Sequence, residues 1–280
     1  MPDDSTRLAV LIDADNTSPK LIVEMFEELA SYGTITVKRA YGDWTNPHLN
    51  SWRDVLLGNA ISPQHQFAYT YGKNATDSAL IIDAMDLLYS GNVEGFAIVS
   101  SDSDFTPLAT RLRESGKRVI GVGQRKTPKA FVEACERFVF LEVLAGDGGA
   151  TEQVKDDQPR PIQSVLTKAL NKVDTDDDWA SLNAIGNHLN RTDPSFDARN
   201  YGFGKLSDLV KAQPFVETKM VTGQGGRGHL WVRLKGRRAV EEAPAREAVK
   251  KTTKKVTAKK TTKKAARKVT RKAQDADGSG

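Results

Sequence analysis

The chain is poor in the residues that would staple it, anchor it or build a soft-metal site. It holds a single cysteine, Cys135, so no intramolecular disulfide can form, and a reducing compartment is the expected setting. Its four histidines, His48, His65, His188 and His229, fall at no ligand spacing, which excludes a zinc site read from sequence. No apolar stretch approaches the roughly 20 residues that span a bilayer. Residues 1–6 are polar and acidic and fit no signal peptide. A soluble, cytoplasmic protein is the expectation. The hydrophobic fraction, 39%, supports a real core but is low for a chain folded along its whole length.

Charge is distributed unevenly. Residues 245–280 hold 13 Lys or Arg against 3 Asp or Glu, which leaves 28 basic and 33 acidic residues before them. The net charge of +5 therefore belongs to the end of the chain, while the body is acidic. Beyond residue 241 the sequence is Lys, Ala, Thr and Val with almost no large apolar side chains. It cannot bury enough surface to fold, so a disordered basic tail is expected over 237–280. Such a run binds polyanions by counterion release and without sequence preference.

Two short apolar runs dominate what is present. Leu8-Ala9-Val10-Leu11-Ile12 ends in Asp13-Ala14-Asp15-Asn16, and Phe96-Ala97-Ile98-Val99 ends in Ser100-Ser101-Asp102-Ser103-Asp104. Each reads as a strand buried on both faces and followed by a helix. Further strands are predicted at 34–40, 66–70, 118–122 and 138–141, with helices at 18–31, 49–60, 76–89, 105–115 and 128–135. The alternation argues for a parallel α/β sheet flanked by helices over residues 1–144. In such sheets ligands sit beyond the carboxyl ends of the strands, where Asp13, Asp102 and Asp104 would converge. Clustered carboxylates repel unless a cation lies between them, and a hard divalent ion suits oxygen ligands. Asp15 reads equally well as a helix cap, and Asn16 as a phosphate contact, a brace for Asp13 or an ordinary turn residue.

Residues 145–160 are rich in Gly, Asp, Gln and Pro and read as a linker. Over 161–236, helices are predicted at 162–173, 180–189 and 204–211, then two strands, 215–221 and 229–234, around the glycine-rich turn 223–228. Three helices and a hairpin make the plan of a small winged helix.

The turn Asp13-x-x-Asn16, the helix start Lys73-Asn74-Ala75-Thr76-Asp77 and the turn Ser101-Asp102-Ser103-Asp104-Phe105 resemble the NYN domain, a PIN-like nuclease family, and its LabA-like branch in particular. The resemblance covers residues 7–144. It implies a metal-dependent ribonuclease using Mg²⁺ or Mn²⁺, with Asp13, Asp77, Asp102 and Asp104 as ligands and catalytic carboxylates, and 5′-phosphate and 3′-hydroxyl products. Asn16, Lys73 and Ser101 are the expected substrate contacts. Without the resemblance, Asp77 reads as an acid favoured by the first turn of its helix. The second module resembles the LOTUS (OST-HTH) domain through Phe196, Tyr201-Gly202-Phe203, Lys205-Leu206, Leu209 and Leu230-Trp231-Val232. That implies RNA, or a protein partner, bound by a small winged helix; the tail adds DNA as a further polyanion. In composition the tail is similar to linker-histone tails.

Two alternatives stay open at this level. One is a non-catalytic RNA-binding adaptor whose carboxylates hold a structural ion. The other is a HAD-type phosphatase, with Asp13 as nucleophile, Asp15 as acid and Ser100 on the phosphate. Loop cations Arg125 and Lys126 are weak candidates for RNA phosphates, Trp44 and Trp52 for base stacking.

Overall fold

The computed structural model describes residues 6–66, 75–145, 160–176, 178–222 and 228–236. Lys73, the linker at 146–159, the turn at 223–227 and the basic tail lie outside the described residues.

The first module is a parallel sheet of six strands: β1 (Arg7–Asp13), β2 (Thr34–Gly42), β3 (Ser62–His65), β4 (Gly95–Val99), β5 (Arg118–Gly123) and β6 (Arg137–Phe140), in the order β3-β2-β1-β4-β5-β6. Its central strands are continuous apolar runs because helices cover both faces. Leu8, Val10 and Ile12 of β1 point to one face, where Ala97, Val99, Ile120 and Val122 join Met25, Phe26 and Leu29 of α1 (Ile22–Ala30). Ala9 and Leu11 point to the other, against α3 (Ala75–Ser90) and α4 (Thr106–Glu114). In α3 the buried side chains Leu80, Ala84 and Leu88 recur every four residues and so share one face. This is a PIN-like α/β fold.

The chain leaves β1 toward β2 on one side and returns later through β4 on the other. β1 and β4 are therefore neighbours at the point where the strand order reverses, with Leu8 beside Gly95 and Ile12 beside Val99. In open α/β sheets the carboxyl ends at such a reversal are where ligands bind.

Two departures from expectation have plain causes. The third strand runs at Ser62–His65, before the segment predicted, of which residues 67–70 lie outside the described residues. It is a short edge strand carrying Pro63, so neither alternation nor apolar content marks it. The helix expected at 49–60 is split. A 3₁₀ stretch, Pro47–Trp52, is started by Asn46, whose side chain accepts from the His48 amide, and α2 (Arg53–Gly58) follows.

The second module contains α7 (Ile162–Leu170), β7 (Ala180–Ser181), α8 (Leu182–Thr192), α9 (Leu206–Lys211) and the hairpin β8 (Val216–Thr222) and β9 (Gly228–Leu234); α5 (Lys129–Ala134) and α6 (Leu141–Leu144) belong to the first. The two-residue β7 pairs with β9 and completes a three-stranded antiparallel sheet, where sequence patterning predicts only helix. Gly202 ends a 3₁₀ turn at φ 80°, a left-handed conformation that suits glycine.

The two modules pack directly. The Phe138 amide of β6 donates to the Pro194 carbonyl at 2.9 Å. The Arg199 guanidinium grips both oxygens of Glu28 at 2.9 and 3.0 Å and also holds Asp197. Arg137 pairs with Asp197 and donates to the Asn190 side chain.

Candidate metal centre

Asp13 closes β1 and is 1% exposed. A carboxylate so placed needs donors, and three are supplied. The Ser100 hydroxyl donates to Oδ2 at 2.7 Å, the Asn16 amide side chain to the same oxygen at 2.9 Å, and the Asn16 backbone N–H to Oδ1 at 3.2 Å. Burial pushes the Asp13 carboxyl up, and these hydrogen bonds pull it back. The turn is tied to its neighbours by Ala14 N–H on the Tyr41 carbonyl and by the Thr17 hydroxyl on the Val99 carbonyl.

Beyond β4 the chain makes a tight polar turn. Ser100 Oγ accepts from the Asp102 amide at 3.1 Å, so one buried hydroxyl connects the β1 carboxylate to the β4 loop. The Asp102 carboxylate accepts from the Asp104 amide at 2.9 Å and caps the 3₁₀ turn Ser103–Phe105. Ser101 Oγ accepts from Gln124 N–H at 2.9 Å, bracing the loop against the end of β5.

Asp77 enters from the first turn of α3. One carboxylate oxygen each from Asp77, Asp102 and Asp104 can be chosen so that all three lie within 4.8 Å of one another. Burial, and then the charges of Asp13, Asp102, Asp104 and Asp15, push the Asp77 carboxyl up to about 6. A set of hard oxygen donors under mutual repulsion fits a hard divalent cation and suits neither a thiophilic nor an imidazole-seeking metal.

The predicted acids are thus gathered, but on different terms. Asp77, Asp102 and Asp104 form the shared cluster, while Asp13 lies outside that group of three and is buried behind its own donors. Asn16 braces Asp13, and Ser101 accepts a backbone hydrogen bond. Asp83, about 120° round α3 from Asp77, faces away to bind Arg39 and Tyr41. Arg125 is engaged by the Asn200 side chain and lies over the Phe140 ring. Trp52 is core, 1% exposed, and the Trp44 ring N–H donates to the Gln64 carbonyl. Sequence reasoning assigns Ser100 only to the phosphatase alternative; its one signal is its place directly after the apolar run of β4. It overlooks Trp179, whose ring receives the Lys219 ammonium at 4.3 Å and the Arg233 guanidinium at 4.6 Å in the second module.

The NYN domain model matches residues 7–142, a span that contains every carboxylate of the cluster, and the OST-HTH/LOTUS domain model matches residues 157–227. The chain carries an NYN domain followed by a LOTUS domain. The first is a PIN-like nuclease fold. An uncharacterised protein of Methanocaldococcus jannaschii is 30% identical over 121 residues, 42% of this chain and 47% of the relative, so the chain spans about half the length of that curated relative. A Vibrio parahaemolyticus protein of unknown function is 19% identical, covering 50% of this chain and 96% of that one, at a TM-score of 0.41. A Chromobacterium violaceum solution structure is 35% identical over 30% of this chain and 91% of its own, at a TM-score of 0.25. Among the described residues, no helix is long and apolar enough to cross a membrane.

Proposed function

We propose that the protein is a metal-dependent endoribonuclease whose LOTUS domain binds RNA. The observation that carries this reading is that carboxylate oxygens of Asp77, Asp102 and Asp104 come within 4.8 Å of one another, two of these acids directly after β4. Two segments distant in sequence, the start of α3 and the loop after β4, bring these acids together, and a shared cation would relieve their repulsion.

Asp77, Asp102 and Asp104 would hold Mg²⁺ or Mn²⁺, which when bound supplies neutralisation of the phosphodiester charge and a more acidic water. The protein's own residues do the rest. The caps and amide bonds around Asp102 fix its carboxylate, so little reorganisation is needed when substrate arrives. Asp13, buried and held by Ser100 and Asn16, would brace the site from behind and add its charge to the cluster, while a cluster carboxylate takes up the attacking water's proton. Water adds to phosphorus as the P–O3′ bond breaks, leaving a 5′-phosphate and a 3′-hydroxyl. Asn16, exposed beside Asp13, would meet a phosphate oxygen, as would the Ser101 hydroxyl, which keeps its own proton to donate. In the LOTUS domain, Trp179 with Lys219 and Arg233 offers an aromatic surface among cations, the combination that suits single-stranded RNA.

The phosphatase alternative needs Asp13 as an open nucleophile. Both of its oxygens are engaged and it is buried, which disfavours that role. The decisive experiment is cleavage of a mixed RNA pool by the purified protein in Mn²⁺, Mg²⁺ or EDTA, beside Asp77→Asn and Asp102→Asn. Metal-dependent cutting lost in both variants, with RNA binding retained, supports the nuclease. RNA binding by the parent without metal-dependent cutting above the variants would make the chain an adaptor.

A further inference from the structure

At the opposite end of the sheet from the carboxylates, a cleft of about 690 Å³ opens between the two domains. Its floor is the start of β5 and β6, so about 20 Å of strand, at roughly 3.3 Å per residue, separates it from the metal centre. Arg113, Arg118 and Arg137 line it from the NYN side, and Arg191 with Asn187 and Asn190 from the end of α8 on the LOTUS side. The lining holds four arginines against two glutamates, Glu133 and Glu136.

The arginines are positioned rather than consumed. Arg113 uses Nη1 on the carbonyls of Glu133, Ala134 and Cys135, at the end of α5. Arg118 donates from Nη1 to the Tyr32 carbonyl at 3.2 Å, and its Nε lies 3.5 Å from Glu136. Arg137 reaches the Asn190 oxygen at 2.8 Å. A guanidinium has five N–H donors, so each keeps donors to spare. Arg191, exposed in the last turn of α8, has no carboxylate partner among the described residues. Planar forks of this kind match phosphate oxygens two at a time. The volume falls in the range of small-ligand sites, roughly 300–1,000 Å³, and the Asn187 and Asn190 amides add neutral donors and acceptors for the remainder of such a ligand.

We propose that this interdomain cleft binds a phosphorylated small molecule of mononucleotide size, gripped by arginines from both domains. The site is independent of the metal centre. A ligand touching both domains binds only the docked arrangement and so stabilises it.

The test is titration calorimetry on the full chain in EDTA, which removes metal-assisted binding at the carboxylates. Pyrophosphate, AMP and ATP are the probes, with adenosine as the phosphate-free control. Saturable binding of one phosphorylated probe per chain is expected, absent for adenosine, weakened at least about tenfold in Arg191→Glu and in Arg118→Ala, and accompanied by a higher Tm. Arg191 has no carboxylate partner among the described residues to lose, so loss of binding in its variant, with an unchanged melt, reports the cleft and not the fold. Absence of saturable binding by every phosphorylated probe overturns the proposal. So does equal affinity in Arg191→Glu, which would place the anion elsewhere, including on the basic tail.

Discussion

The hydroxyl of Ser100 donates to Oδ2 of Asp13 at 2.7 Å, joining the ends of two central strands that lie 87 residues apart in the chain. Ser100 Oγ in turn accepts from the Asp102 amide, so Asp13 and the cluster loop share one brace. Replacing Ser100 with Ala removes a hydrogen bond to a buried charge, worth about 1.5–3 kcal/mol. Metal-dependent RNA cleavage should fall about 10- to 100-fold, with circular dichroism unchanged. A Ser100→Ala enzyme of parental rate would remove this brace from the mechanism.

Asp77 gives the pH dependence. Its carboxyl moves from an ordinary 3.8 to about 6 in the folded protein. A proton and a cation compete for it, so Mn²⁺ affinity and cleavage should both rise between pH 5 and pH 7. For the metal-free protein the sign is reversed. The folded state holds this proton more tightly than the unfolded state, so the contribution to stability is complete below about pH 4 and is lost as pH rises through about 6. Asp77→Asn should therefore raise the Tm in EDTA at pH 7 while abolishing metal binding. A fall in Tm would show that Asp77 stabilises the fold and is not strained by its neighbours.

Gly123 sits where a side chain cannot go. A Cβ there would meet the Ser100 carbonyl at 2.6 Å and the Thr127 hydroxyl at 2.8 Å. Gly123→Ala should cost about 1–3 kcal/mol in denaturant unfolding, as overpacking does. It should also depress cleavage beyond that loss of stability, because the displaced atom belongs to Ser100.

Arg199 anchors the LOTUS domain through Glu28 and Asp197. Arg199→Ala leaves the largely covered Glu28 carboxylate without its cation and Asp197 with Arg137 alone, a loss with a cost well above that of a surface pair. Proteolysis within 146–159 should accelerate while the isolated metal affinity of the NYN domain stays unchanged. Unaltered proteolysis would show that docking rests on the remaining contacts.

Cys135 is fully buried, and burial pushes its thiol up to about 12. The native protein should resist iodoacetamide at pH 8 and react once unfolded. Rapid labelling of the native chain would mean that α5 opens readily.

The parts of this molecule legible in its sequence are those where one local rule suffices. β1 and β4 announce themselves because a strand covered on both faces must be apolar throughout, and Asp102 and Asp104 because two acids directly follow such a run. Ser62–His65 has no such signature: an edge strand needs only backbone pairing, and Ser-Pro-Gln-His offers nothing else. Asp77 is legible through family resemblance alone, since an acid in a first helical turn is favoured for other reasons. Ser100, Arg199 and Trp179 gain their meaning from partners 87, 171 and 40 or more positions away, and no local pattern encodes those meetings.

The contact between the Phe138 amide and the Pro194 carbonyl bears on how the sheet avoids its own kind. An open parallel sheet has two raw borders, each able to recruit another chain. At one border the strand is four residues long and carries Pro63, which has no amide to offer. At the other, β6 reads Arg-Phe-Val-Phe, and a proline carbonyl from the neighbouring domain occupies one of its outward amides. The LOTUS domain thus acts as a bumper for its partner, and an NYN domain cut away from it would present a bare, adhesive margin to every other copy in solution.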